Sequence, residues 1–195
     1  MLGHDRQVSP LQPPAPGDRP VADLIRELDA LLGRDRFVEV CTDLLGGAPR
    51  TSYAAELRYL AGNAFGDGDV PDPTSWKDYW VRTWGARGLL HCWSDRATDA
   101  VVAGLGDEHY RPAEMCLKVA AAHDVAGAGP GAARLATHEL PRVRSQALRA
   151  LGFVGDTEHV DVVLSALDDP DPAVRTQAAR ARARMARRLD LPAPG

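Results

Sequence analysis

A short pattern recurs at a fixed spacing in the second half of this chain. Residues 143–150 read VRSQALRA, and 31 residues later residues 174–181 read VRTQAARA. The same step backwards reaches residues 112–120, PAEMCLKVA, and a second step reaches residues 81–89, VRTWGARGL, with small, apolar and basic residues in phase. Repeats of this length indicate stacked structural units, so this feature constrains the fold more than any other.

Each unit has the period of an α-helix. In one unit the apolar side chains follow the helical spacing that collects them on a single face, at Val143, Ala147, Ala150, Leu151 and Val154. A second apolar stripe at 160–167 predicts the helix that covers this face. Next in the chain, Pro170 stops one helix, Asp171 can cap another, and Pro172 suits its first turn. Pro141 marks the corresponding helix start one unit earlier. The sequence therefore predicts one helical hairpin per unit.

The pattern D-P-x-V-R-x-x-A-x-x-A at residues 171–181, echoed at 140–152, resembles the HEAT repeat, especially its short PBS-lyase HEAT-like form. The resemblance implies an all-α fold, an armadillo-like α-solenoid (α-α superhelix) of stacked helical hairpins. About four units are expected in residues 76–188, and the first two depart from the pattern at Gly85, Pro112 and Ala113. Because such modules occur in scaffolds, chromophore-handling proteins and DNA-binding proteins, the resemblance implies a fold before a function.

The remaining segments differ in composition from the repeats. Residues 1–19 are proline-rich and are expected to be a disordered lead-in. Residues 20–75 are expected to cap the array. They contain predicted helices at 21–32, 35–45 and 51–61, followed by a Gly/Asp/Pro-rich loop at 62–75. Asp67, Asp69 and Asp72 in that loop lack the EF-hand spacing, so a solvated turn is predicted rather than a calcium site. Residues 189–195 are expected to be a flexible tail.

Composition and charge argue against several classes of function. The net charge of −4 is unlike that of proteins that coat nucleic acid or lie on membrane surfaces, since both need a dominant positive field. The apolar runs are too short to cross a bilayer, and Cys41, Cys92 and Cys116 are too far apart for a C-x-x-C site. We therefore expect a cytoplasmic protein that does not bind membranes and has reduced, buried cysteines.

Recognisable catalytic and metal-binding motifs are absent from the sequence. The six histidines are scattered without an H-E-x-x-H set, and there is no P-loop or nucleophile elbow. Cys92 and His123 occupy equivalent positions in adjacent units, but two ligands do not make a zinc site. The sequence predicts no catalytic residue, no metal and no cofactor.

Basic and aromatic residues line up beside the apolar stripe when the units are superposed. Because the resemblance implies that second helices line the concave surface, these residues are predicted to form a partner-binding groove. The predicted residues are Trp76, Trp80, Trp84, Arg87, His91, Arg111, Lys118, Arg142, Gln146, Arg149, Gln177 and Arg180. The alternative interpretation is a solvated helix face, with Trp84 filling the core beside Gly85 and Gly88.

A second basic row consists of Arg82, Arg144 and Arg175. The resemblance implies that these arginines bond an aspartate in a neighbouring turn and have a structural role. Asp78 and Asp171 lie at matching repeat positions and are the candidate partners.

Three functions are compatible with this sequence. The first is a non-enzymatic scaffold or adaptor that binds an acidic or amphipathic segment of another protein, where arginine pairs carboxylates and tryptophan anchors apolar groups. The second is a nucleic-acid-binding protein resembling the HEAT-like alkylated-DNA glycosylases, with Trp76, Asp78, Trp80 and Trp84 supplying suitable residue types. The negative net charge argues against the second. A third, a bilin-lyase-like helper, rests on the name of the repeat alone.

Overall fold

The computed structural model describes residues 11, 12, 14, 15, 17–65 and 76–191, and this part of the chain contains helices and no strand. The α-helices are α1 Val21–Leu32, α2 Arg34–Leu45, α3 Ala54–Leu60, α4 Asp78–His91, α5 Thr98–Gly104, α6 Tyr110–His123, α7 Gly129–Leu135, α8 Pro141–Val154, α9 Val160–Ser165 and α10 Pro172–Arg188. Short 3-10 helices lie at Arg50–Tyr53, Gly62–Phe65, Asp95–Ala97, Thr157–His159 and Ala166–Asp168. Most of the predicted lead-in, the turn with Asp67, Asp69 and Asp72, and the end of the predicted tail lie outside the described residues.

Four long helices recur at the predicted repeat spacing in the described part of the chain. α4, α6, α8 and α10 begin 31 or 32 residues apart, and each packs against the next. α2 packs against α4 and extends this row, which we call the long-helix layer. The short helices α5, α7 and α9 each pack against the long helix that follows them. The predicted all-α solenoid of stacked hairpins is confirmed.

The predicted apolar face of the long helices is buried. Val81 is 4% exposed, and Val143 and Val174 are fully buried. The stripe at 160–167 is buried through Val163, which is 1% exposed, but its helix α9 packs against α10, the long helix that follows it, and not against the α8 face as predicted. Burying such side chains stabilises the fold by about 1.5 to 3 kcal/mol each. A single hairpin lacks enough of this buried area, so the stack supplies it.

The predicted helix starts are also confirmed. Asp171 caps α10, and its Oδ1 accepts hydrogen bonds from the amides of Ala173 and Val174 at 2.8 and 3.3 Å. Pro172 and Pro141 occupy the first positions of α10 and α8, where the missing amide hydrogen costs nothing.

The arginine row is structural, but its partners differ from those predicted. Arg82 bonds both carboxylate oxygens of Asp107 at 2.6 and 2.9 Å, and Arg144 bonds those of Asp169 at 2.7 and 2.8 Å. The predicted partners have other roles, because Asp78 bonds Arg50 and Asp171 caps α10. Each arginine lies 25 residues before its aspartate, so each pair links consecutive hairpins. A comparison of equivalent repeat positions alone does not reveal this spacing.

Arg175 belongs to the last described repeat and bonds no carboxylate there. Its guanidinium donates to the carbonyl oxygens of Asp169 and Pro170, at 2.7 and 3.0 Å. It therefore tightens the turn that enters α10, a local form of the predicted structural role.

The link between the second and third repeats lacks this arginine–aspartate pair at both positions. Ala113 replaces the arginine and His138 replaces the aspartate. His138 keeps part of the aspartate's role, because its Nδ1 accepts the amide hydrogen of Leu140, as Asp107 and Asp169 accept amide hydrogens two residues on. The irregularity predicted near Ala113 thus consists of a changed side-chain network within an intact helical stack.

Gly85 and Gly88 allow α2 to approach α4 closely. A Cβ atom on Gly85 would lie 2.6 Å from the Cys41 carbonyl oxygen, and one on Gly88 would lie 2.4 Å from the Cys41 sulfur. Their missing side chains accommodate the neighbouring helix.

The N-terminal helices also follow the sequence. α1 spans the residues predicted for it, α2 begins one residue before its predicted range, and α3 begins three residues later and ends one residue earlier than predicted. Their core contains Ile25, Leu28, Phe37 and Leu57, all fully buried. The hydroxyl of Tyr59 in α3 donates to the Gln12 carbonyl oxygen at 2.8 Å, so the chain before α1 contacts this end of the molecule.

Candidate binding groove on the long-helix layer

Three tryptophans cluster at the start of α4. The ring of Trp84 lies 5.5 Å from that of Trp76 and 6.3 Å from that of Trp80, distances typical of attractive aromatic pairs. Trp84 is only 2% exposed, so it belongs to the core, as the alternative interpretation had it, and cannot contact a partner directly. Trp76 and Trp80 are half-buried and form the accessible part of the cluster.

Arg111, at the start of α6, leans over this cluster. Its guanidinium carbon lies 5.3 Å from the Trp80 ring and 5.2 Å from the Tyr110 ring. Cation–π contacts of this kind stabilise an exposed arginine by about 0.5 to 1 kcal/mol. Part of the Trp80 face is therefore already used by Arg111.

Two of the predicted basic residues share a buried acid. Glu114 is 6% exposed, and its carboxylate accepts hydrogen bonds from Arg142 at 2.6 and 2.8 Å. Lys118, one turn later on α6, lies 3.6 Å from the same carboxylate. The hydrogen bond to Glu114 raises the pKa of Arg142. The sequence analysis missed Glu114, although it precedes Lys118 by four residues on the same helix.

The predicted residues near the end of α4 are largely covered. Burial lowers the pKa of Arg87, and no acid within the described part of the chain offsets that burial. Burial also lowers the pKa of His91, with further contributions from Arg26, Arg87 and His123. Arg87 Nε and, on α8, Gln146 Nε2 are buried without a hydrogen-bond partner among the described residues.

The other predicted residues border a groove between α8 and α10. Its volume is about 420 Å³, and we call it the basic groove. It is lined by Arg149, Phe153, Gln177, Arg180, Ala183, Arg184 and Arg187. The predicted site contains only Arg149, Gln177 and Arg180 of these residues. Phe153 and Arg184 occupy the same repeat row as His91 without having been assigned to the predicted site, and Arg187 continues the stripe of Arg180 at helical spacing, which is the signal that could have added it.

Unpaired positive charge surrounds this groove. Arg149, Arg180, Arg184 and Arg187 form no ion pair or hydrogen bond with any described residue. Arg184 instead stacks on Phe153, with its guanidinium carbon 3.9 Å from the ring centroid. Residues 172–188 contain six arginines and no acid, whereas 155–171 contain six acids and no lysine or arginine. The positive charge is therefore confined to the long helix of this repeat.

The described residues show no other recognisable type of site. No group of three or more His, Cys, Asp or Glu side chains there is placed to hold a metal ion. His123 packs against Trp93 at 5.0 Å and contacts the Leu90 carbonyl oxygen, as expected for a packed histidine. Cys41, Cys92 and Cys116 are buried and form no disulfide. Among the described helices, none has the length and apolar character needed to span a membrane.

Comparison with known proteins gives one match. Residues 131–193 match the family model of HEAT repeats, and this stretch contains most of α7 and all of α8, α9 and α10. No curated protein and no solved structure matches the chain. The match therefore covers the two hairpins that border the basic groove.

Proposed function

Because the chain is a HEAT-repeat protein, we propose that it is a non-enzymatic scaffold that binds an acidic segment of another protein in the basic groove. Repeat folds of this kind present extended surfaces suited to such binding. The cytoplasm is the proposed location, since it keeps buried thiols such as Cys41 and Cys116 reduced.

The observation that carries this proposal is the set of four unpaired arginines around the groove. A guanidinium can bond a carboxylate through two parallel hydrogen bonds, which gives both geometry and energy. Because these arginines have no internal acid to release, binding an acidic segment costs no existing ion pair. Phe153 and the half-buried Gln177 add apolar and amide surface between the charges.

The rest of the predicted surface is a weaker candidate for acidic ligands. Arg142 and Lys118 would have to share a new carboxylate with Glu114. Arg111 would have to leave the rings of Trp80 and Tyr110. We therefore propose that Trp76 and Trp80 contribute apolar contacts to a longer partner, while the basic groove provides the charge recognition.

Nucleic acid is the less favoured ligand for the same groove. The stretch 155–171, which precedes α10 in the chain, contains six acids whose negative charge opposes the binding of phosphates. The net charge of −4 also opposes the phosphate-driven binding that nucleic-acid proteins use.

Fluorescence anisotropy with a labelled hexaglutamate peptide tests the proposal. We expect binding that weakens with salt and falls about tenfold or more in a triple variant of Arg149, Arg180 and Arg184 to glutamate. The matched control reverses three exposed arginines elsewhere, Arg26, Arg36 and Arg96, and should keep most of the affinity at the same net charge. Equal loss in both variants would refute the groove, and so would tighter binding of a single-stranded DNA 20-mer than of the peptide.

A further inference from the structure

The arginines of the basic groove form a regular row along one wall. Arg180, Arg184 and Arg187 lie on α10 at positions i, i+4 and i+7, so they share one face of the helix. Arg149 and Phe153 on α8 form the opposite wall, each 31 residues before its α10 counterpart. The groove therefore runs along the helices, between two parallel walls.

The length and volume of the groove limit the conformation of a ligand. From Gln177 to Arg187 the helix rises about 15 Å, which corresponds to ten residues of a ligand helix or four to five extended residues. The groove volume of about 420 Å³ is near the lower end of the roughly 300 to 1,000 Å³ typical of small-molecule pockets. Such a volume suits a few extended residues better than a helix of three turns.

The spacing of the arginines matches every second residue of an extended chain. Arg180 and Arg184 are separated by about 6 Å along the helix axis, and two extended residues span about 6.6 Å. Successive side chains of an extended chain point in opposite directions, so residues i, i+2 and i+4 face the same wall. The shorter step to Arg187 is within reach of its long side chain.

Phe153 orients one of these arginines. Arg184 is half-buried and stacks on the Phe153 ring at 3.9 Å, which fixes the plane of its guanidinium. A guanidinium held in place loses less freedom when it binds a carboxylate. Arg184 thus lies between two more exposed arginines, and its guanidinium is the one held in place by stacking.

From these features we infer that the basic groove binds a short extended segment of a partner protein with acidic side chains at alternate positions, i, i+2 and i+4. This inference rests on the proposed function and specifies its ligand. The three carboxylates pair with Arg180, Arg184 and Arg187, and the intervening side chains face Arg149 and Phe153.

Three capped octapeptides of identical composition test the spacing, each with three glutamates and five serines. They read ESESESSS, ESSSESSE and EEESSSSS, and their affinities for the full chain are compared by fluorescence anisotropy. We expect the first to bind at least about threefold more tightly than either other peptide, since each of those leaves one arginine unpaired. Equal affinities, or preference for the helix-spaced second peptide, would overturn the inference.

A Phe153→Leu variant tests the role of the stacked arginine without changing charge. Its affinity for ESESESSS should fall about twofold to fivefold, because an unstacked Arg184 would lose more conformational freedom on binding, while its thermal unfolding stays cooperative. Unchanged affinity would remove Phe153 from the recognition. If the hexaglutamate peptide binds through the groove but the octapeptides bind alike, only the spacing is wrong. If the affinity for hexaglutamate is unchanged when the groove arginines are replaced, the proposed function itself fails.

Discussion

The two ends of the long-helix layer have similar rows of basic residues but different surroundings. Where α4 and α6 meet the first turn of α8, the buried acid Glu114 on α6 pairs with Arg142 and Lys118, and Arg111 stacks on Trp80. At α8 and α10, Arg149 and Arg180 have no acid among the described residues. The same residue types are therefore part of the internal structure at one end and available to a ligand at the other. The difference lies in the neighbours of each arginine, which repeat alignment alone does not provide.

The two ends also differ in how closely neighbouring long helices pack. α2 and α4 meet through Gly85, where a Cβ atom would lie 2.6 Å from a backbone oxygen. α8 and α10 meet through Gly152, where a Cβ atom would lie 3.2 Å from the Ala181 Cα. The N-terminal contact is the tighter one.

The largest expected effect is the difference in stability between alanine substitutions at these two glycines. Gly85→Ala should lower the free energy of unfolding by about 1 to 3 kcal/mol, because the backbone of α2 must move to admit the methyl group. Gly152→Ala should have a net effect near zero, since a helix-propensity gain of about 1 kcal/mol offsets a slight shift of α10. Urea unfolding followed by circular dichroism measures both, and equal losses would show that the two interfaces are alike.

The sequence predicts features that depend on neighbouring residues better than features that depend on contacts between distant parts of the chain. The hairpins follow from local periodicity and from helix-start signals such as Asp171 and Pro172, so the sequence predicts them correctly. The role of Gly85 depends on α2, which lies some forty residues earlier, and the repeat pattern carries no information on that contact.

The same limit applies to the candidate site. Sequence alignment places Arg142 and Arg149 in comparable rows, yet a glutamate 28 residues before Arg142 neutralises only the first. Arg184 lies in the same repeat row as His91 and Phe153 but was not assigned to the predicted site, and Arg187 lies beyond the aligned rows, although both continue the helical stripe of Arg180. The sequence therefore predicted a basic groove and some, but not all, of the residues that line it.

Removing the buried acid should make the two ends more alike. Glu114→Gln leaves Arg142 and Lys118 without a carboxylate, which should cost about 1 kcal/mol of stability because Arg142 is half-exposed. The variant should also bind hexaglutamate about twofold more tightly through the released cations. Urea unfolding and anisotropy measure the two effects. Glu108→Gln is the control, since that side chain is 87% exposed. If Glu114→Gln matched this control in both assays, Glu114 would not be what distinguishes the α6 end.

The smallest expected effect concerns pH, because the starts of α6 and α10 use different acceptors. The Nδ1 of His109 accepts the Arg111 amide hydrogen at 3.2 Å, an interaction that the protonated ring cannot make. Burial lowers the pKa of His109 from 6.5 despite the nearby Asp107, with Arg82 and Arg111 also lowering it. At the other end, Arg144 lowers the pKa of Asp169 from 3.8.

Both shifts are depressions, so both groups stabilise the fold above their unfolded pKa and lose that contribution as pH falls through the folded value. The start of α6 should therefore loosen below pH 6.5, while the start of α10 should hold until below pH 3.8. Hydrogen exchange of the Arg111 and Asp171 amides between pH 7 and pH 5, corrected for intrinsic rates, should show lost protection at the first alone. His109→Asn, which keeps an acceptor that does not titrate, should abolish that loss. Parallel behaviour of the two amides would mean that the two helix starts respond to acid as one unit.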